Sequence, residues 1–573
     1  MKHCRETANF HKGLPHNGFG EVDKAAYEKL VEILDTGKDF DQIPLAGGRP
    51  MVNPQAGLAT DLEGPNPKTL KILRAPRLDS AETAAEAVEL YWMALLRDIR
   101  FTDFAADADV ATAAAEISGL HDFTGPRQGG QVTPQTIFRG CFHGDLDGPF
   151  VSQFLLHDIF YGSLTISQKQ QTVQAGIDYL TDFPTWLAIQ NGHAPAGGPA
   201  IAPVRHVQTM RDLAHYVHVD ALYEAYLNAC LILLGHGAPF DEGNPYLPPN
   251  PNAATQIGFG TFGGPHVLSL VCEVATRALK AMWWQKWFVH RRLRPEAYGG
   301  LVHVKLEGVG GQTKNYPIHP QVLASQALAR TQAAHGSFLL PMAFPEGSPT
   351  HPSYGAGHAT VAGACVTVLK AFFDDLAPLP SSIPVSVPTA AGSGLEPYTG
   401  PGGGLTIGGE LNKVAANIAI GRNMAGVHWR SDYTESLRLG ERVALHILRR
   451  QRKDYEKEAP GVAVRPGRHP SVTGATPPAP GVDPAIERAE REAVRSQLDD
   501  LRAELRDYEE LKIYEAVPAP PVADCVLEYL CSDHRARRKT ERMACGTDRE
   551  LVCGPSGPRE SLRRAECGAS PSS

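Results

Sequence analysis

Residues 421–432 read GRNMAGVHWRSD, and the rest of the chain is organised around them. His428 and Asp432 are four apart, so a helical segment puts them on one face. There a carboxylate accepts a hydrogen bond from one imidazole nitrogen. That fixes the tautomer and leaves the other nitrogen to attack or to ligate. Arg422 lies well off that face at about 100° per residue. Gly421 and Gly426 suggest a turn between them, so that Arg422 and His428 converge from two helix ends. An arginine fork beside an oriented histidine suits an oxyanion. Taken alone, the stretch reads equally well as a surface arginine and a capped histidine next to an acid.

Two further blocks carry the same chemistry. QKWFVHRRLRPEAYGG (285–300) sets Lys286 and Arg294 eight apart, about two helical turns. Pro295 is expected to stop that helix and to push Arg294 off helical geometry. Two long cations at a helix end grip one anion, although Arg291 and Arg292 make a solvated basic stripe the simpler reading. THPSYGAGHATVAGACVTVLKAFF (350–373) places a glycine turn at Gly355 and Gly357 before a long apolar helix starting at His358. A helix start offers free N–H groups and a positive dipole end, so an anion rests on the Gly357 amide beside His358. His351 returns to the same cavity.

The 573 residues suffice for a large core. A net charge of −8 argues against wholesale nucleic-acid binding but permits a local cationic pocket. No apolar run reaches the length of a membrane span, and MKHCRETANFHKG lacks a secretory apolar region; both favour a soluble, cytoplasmic protein.

Residues 1–75 read as a loop-rich wrap with one helix near 23–36. Residues 76–455 read as a mainly α core, with helices near 81–99, 106–118, 148–160, 166–180, 207–234 and 266–293. His215 and His218 on the long 207–234 pattern read as core or surface histidines, and the acidic loop 144–149 as a solvated turn. Residues 379–408 read as a surface loop. A Pro/Gly-rich linker (456–482) precedes an amphipathic or coiled-coil helix (483–516), whose Val494, Leu498, Leu501, Leu505 and Tyr508 form a short heptad stripe. The tail 517–573 holds five of the ten cysteines without a CxxC pair, reads as disordered, and gives no zinc site. Cys4, Cys141, Cys230, Cys272 and Cys365 read as buried thiols.

The ordered set is far more specific than any block. Lys-x7-Arg-Pro, Gly-His opening a helix, and Arg-x5-His-x3-Asp together resemble the vanadium-dependent haloperoxidases, bromoperoxidase branch, and more distantly the acid phosphatases that share their pocket. KGLPHNGFGEVD, VNPQAGLATDLEGP and RGCFHGDLDGPFVSQFL are similar to that branch too, so the resemblance covers roughly residues 8–450.

The resemblance implies an all-α fold of two packed helical bundles with long loops. It implies vanadate held by Lys286, Arg294, Arg422 and the Gly357 amide. It implies His428 as the vanadium ligand oriented by Asp432, and His358 as acid–base partner. His351 matches the second pocket histidine of bromoperoxidases. The substrates implied are hydrogen peroxide, a halide and a small organic acceptor, in a homo-oligomer, dimer or dodecamer. One residue departs from the pattern: Ala356 stands where the family has a serine before Gly-His. The competing readings are a phosphatase with His428 as nucleophile, and a scaffold whose pocket has decayed.

Overall fold

A computed structural model describes residues 7–455, Gly403 excepted. The linker, the heptad stripe, Cys4 and the cysteine-rich tail lie outside those residues. The long helices start where the sequence supplies caps. Ser80 accepts from the Thr83 amide to open helix Ala81–Leu95, and Thr406 accepts from the Gly409 amide to open Ile407–Met424. At the centre, helix Gly357–Phe372 packs on Arg430–Asp454, Gly264–Trp284 and Ile407–Met424. Helix Met210–Val219 packs on Ile407–Met424. The first of these contacts is backbone to backbone. A Cβ on Gly363 would stand 2.1 Å from the Leu437 carbonyl oxygen, and one on Gly440 2.0 Å from that of Thr360. Only glycine permits that approach.

The fold is mostly helical, as expected, with departures that shape the site. The 207–234 pattern is two helices, Met210–Val219 and Glu224–Gly235, bent by 99° at Asp220. The segments 148–160 and 166–180 are not helical. They hold a short 3-10 turn and the strands Ile159–Tyr161, Leu164–Ile166 and Gln170–Val173. A second hairpin, Ser386–Pro388 with Leu395–Pro397, lies inside the expected 379–408 loop. Asp145 is buried rather than solvated, its Oδ2 accepting from the Phe142 amide. Cys230 and Cys365 are buried thiols as read, whereas Cys141 is exposed. Among the described residues no single helix is long and apolar enough to cross a membrane.

Candidate active site

The three blocks meet in one buried pocket, each by a local device. Helix Gly264–Trp284 runs into a π-helical turn, Gln285–His290, that carries Lys286. The chain then reverses at Arg291 (φ 50°) and extends through Arg294. Pro295 starts the next helix, Pro295–Leu306, rather than stopping the previous one. Arg291 and Arg292 are buried, not a solvated stripe.

The third block converges as the two glycines suggested, but by a different geometry for the histidine. Arg422 lies near the end of Ile407–Met424. Gly426 turns the chain at φ 81°. His428 stands outside the next helix, one residue before its first cap, Trp429. Its pairing with Asp432 is therefore a helix-start contact, not two residues on one helical face. Asp432 Oδ2 accepts from His428 Nδ1 at 2.8 Å and from the Trp429 amide at 3.0 Å.

The tautomer of His428 follows from its neighbours. Arg294 Nη1 lies 3.0 Å from His428 Nε2, and a guanidinium only donates. Nε2 therefore presents a lone pair, and Nδ1 carries the proton given to Asp432. Arg294 also donates to the His351 carbonyl, the Val427 carbonyl and His351 Nδ1. Lys286 donates to the carbonyls of Pro352 (2.8 Å) and Ser353 (3.1 Å). Arg422 donates to the Val217 carbonyl, and its buried Nε has no partner among the described residues.

These cations are buried together, and the electrostatics show the strain. Burial, with the other cations adding to it, holds Lys286 well below its ordinary value, and Asp432 partly opposes this. Burial, then Arg422, brings Arg294 down to about 9; burial brings Arg422 down to about 10. Burial and the surrounding cations also hold His428 and His351 well below the histidine range. An oxyanion among three such cations relieves both effects.

Helix Gly357–Phe372 points its first turn here, one residue earlier than expected, with Ala356 as its cap. Ala356 supplies no side-chain cap bond. Ser353, the nearest hydroxyl in sequence, does not substitute: its Oγ donates to Asp432 Oδ2. His358 Nε2 lies 3.0 Å from Asp220 Oδ1, and burial lowers its pKa.

Sequence reading missed Asp220, Arg292 and Glu86. Asp220 sits at the break in the 207–234 pattern, and a polar residue interrupting an apolar helical run was its only signal. Arg292 donates to Asp432 Oδ1 and Glu86 Oε2, both at 2.9 Å. No His/Cys/Asp/Glu cluster of metal-ligating type occurs among the described residues.

Comparison with known proteins gives a consistent result. A family model described as the VCPO second helical-bundle domain matches residues 310–457. The chain is 40% identical to a vanadium-dependent bromoperoxidase of Corallina pilulifera, covering 78% of this chain and 88% of that one. It is 36% identical to one of Ascophyllum nodosum, covering 79% and 84%. The homohexameric structure of the second vanadate-dependent bromoperoxidase of Ascophyllum nodosum matches with TM-score 0.71 and 33% identity over 77% of this chain and 78% of that one.

The buried histidines make stability depend on pH. The unfolded chain takes a proton near pH 6.5 and folded His351 does not, so stability is lost as pH falls below 6.5. In protein free of bound anion, His351→Phe is expected to flatten that slope by roughly 1.4 kcal/mol per pH unit between pH 6 and 5. Urea denaturation at several pH values checks it; an unchanged slope would mean His351 is protonated in the fold.

Proposed function

The chain belongs to the vanadium-dependent haloperoxidase family, and on that premise we propose how its own residues divide the chemistry. It is a peroxidase that oxidises halide with hydrogen peroxide; the phosphatase reading of the pocket is not favoured. The observation that carries the site assignment is His428, with Nδ1 tied to Asp432 and Nε2 presented among three buried cations.

The donor set fits vanadate. Lys286, Arg294 and Arg422 would hold its oxygens, with the orphaned Arg422 Nε and the Gly357 amide as further donors. His428 Nε2 would ligate the vanadium, and Asp432 keeps that nitrogen unprotonated. Bound vanadate supplies a Lewis-acid centre that activates peroxide toward attack by halide. The protein's own tasks are orientation and proton handling. His358, with Nε2 engaged by Asp220, would exchange the peroxide proton at Nδ1. Lys286, fixed by two carbonyls, would polarise the oxygen that the halide attacks.

His351, where chloroperoxidases have an aromatic residue, supports bromide and iodide over chloride. The acceptor would be a small electron-rich organic molecule. The homohexamer formed by the Ascophyllum neighbour supports a homo-oligomer here.

Purified protein with peroxide and bromide is expected to brominate a phenol dye only with orthovanadate, and His428→Ala to abolish it. Full activity in that variant would remove His428 from its role. Phosphomonoester hydrolysis without bromination would replace the reading by a phosphatase. Ala356→Ser restores a hydroxyl at the cap, and one charge-assisted hydrogen bond of about 1.5–3 kcal/mol makes vanadate bind tighter, by roughly ten-fold or more. Unchanged affinity in a vanadate titration would mean the hydroxyl contributes nothing here.

A further inference from the structure

The stretch RGCFHGDLDGPF (139–150) supplies none of the residues assigned to vanadate, yet both its ends line a second cavity. That cavity measures about 230 Å³, and Lys286, Arg294, His351, His358, Arg422 and His428 are not among its walls. Thr102 and Ala105, two of its lining residues, are exposed, so solvent reaches it.

One wall is aromatic. Phe101 and Phe150 stack with ring centres 4.0 Å apart and planes 6° off parallel, and Phe104 meets them steeply at 5.5 and 6.0 Å. The Arg139 guanidinium carbon lies 5.4 Å from the centre of the Phe150 ring. A flat ring placed against such a wall gains apolar burial and face or edge contacts. An apolar cavity of about 150 Å³ already takes benzene, so this one has room for a ring with a substituent.

The polar groups decide what that substituent is. Among the described residues Arg139 is the one charged side chain lining the cavity, and it is buried. Its guanidinium donates only to the Gly148 and Pro149 carbonyls among those residues, which leaves Nε without a hydrogen bond. Burial lowers the Arg139 pKa, and Asp145 is the acid that most offsets this. Burial also pushes Asp145 up to about 7, so near neutral pH it carries only part of a charge. Arg139 is thus a buried cation without a full counter-charge, a costly state that a bound anion relieves. Gln208, also buried and lining the cavity, has an Oε1 without a partner among the described residues. An oxygen in that state calls for a donor such as a ring hydroxyl.

We propose that this cavity binds a small aromatic acid, with its ring against Phe101, Phe104 and Phe150 and its carboxylate on Arg139. A hydroxyl on the ring satisfies Gln208. Binding here is not turnover. The site stands apart from the cations assigned to vanadate, and it does not depend on the activity proposed above.

The test is calorimetric titration of the full-length protein with 4-hydroxybenzoate, in excess orthovanadate so that Lys286, Arg294 and Arg422 are engaged. One site per chain is expected, and 4-methylphenol, which lacks the charge, should bind roughly ten-fold more weakly or worse. Arg139→Gln should weaken 4-hydroxybenzoate by a similar factor. Ala105→Trp fills the cavity from an exposed position, leaves Arg139 in place and should abolish binding; it decides the matter if Arg139→Gln does not fold. The two variants locate the site whether or not vanadate loads. No saturable binding at millimolar concentration would overturn the proposal, as when residues 456–573 or a second copy of the chain cover the cavity. So would equal affinity for the two probes, or affinity that survives both substitutions. Binding only in protein without orthovanadate would also overturn it, by placing the acid in the vanadate pocket.

Discussion

One buried carboxylate joins the three blocks. Asp432 accepts from Arg292 of the first, Ser353 of the second, and His428 with the Trp429 amide of its own. An ionised carboxylate away from water is expensive unless its lone pairs are filled, and here donors from distant segments fill them. The arrangement is reciprocal. Arg292 also binds Glu86, and Glu86 accepts from the Ser431 amide, so helix Ala81–Leu95 is tied to the same helix start. Each segment is thereby placed relative to His428 before any ligand arrives. Preorganisation of this kind lets hydrogen-bond donors act without rearranging during the reaction.

The second constraint is charge. Lys286, Arg294 and Arg422 are kept in a site that Asp432 and Asp220 only partly neutralise. Burial pushes all three toward losing their protons, and repulsion from neighbouring cations adds to it at Lys286 and Arg294. Burial first, and then the same cations, hold the His428 and His351 pKa values well below the histidine range, which keeps an imidazole lone pair available at neutral pH. A site that prefers an oxyanion and a site that offers a neutral histidine ligand are thus one consequence of one charge distribution. The family matches the chemistry that this distribution suits.

The helical class was legible in the apolar periods; that Lys286, Arg294, Gly357, His358, Arg422, His428 and Asp432 serve one site was implied by the family resemblance of the three ordered blocks, not by the spacing within any one of them. What was not legible depends on tertiary contacts. The apolar period of 207–234 runs through Asp220, whereas the chain breaks there into two helices bent by 99° and Asp220 meets His358, 138 positions away. Arg292 reads as solvated because its partners, Glu86 and Asp432, are 206 and 140 positions away. Pro295 is compatible with either end of a helix, and only the reversal at Arg291 shows which end it occupies. The hydroxyl of Ser353 lies near Ala356 in sequence, but it is committed to Asp432, so it does not replace the absent serine.

The most direct measurement is vanadate affinity in Asp432→Asn beside wild type, with folding followed by near-ultraviolet circular dichroism. The substitution keeps the side-chain volume and removes the charge that collects the three blocks. A native spectrum with vanadate bound about 10–100-fold more weakly is the expected result, as for other groups that orient a metal-ligating histidine. A native spectrum with unchanged affinity would contradict the account, because the pocket would then be organised without the carboxylate on which everything here converges.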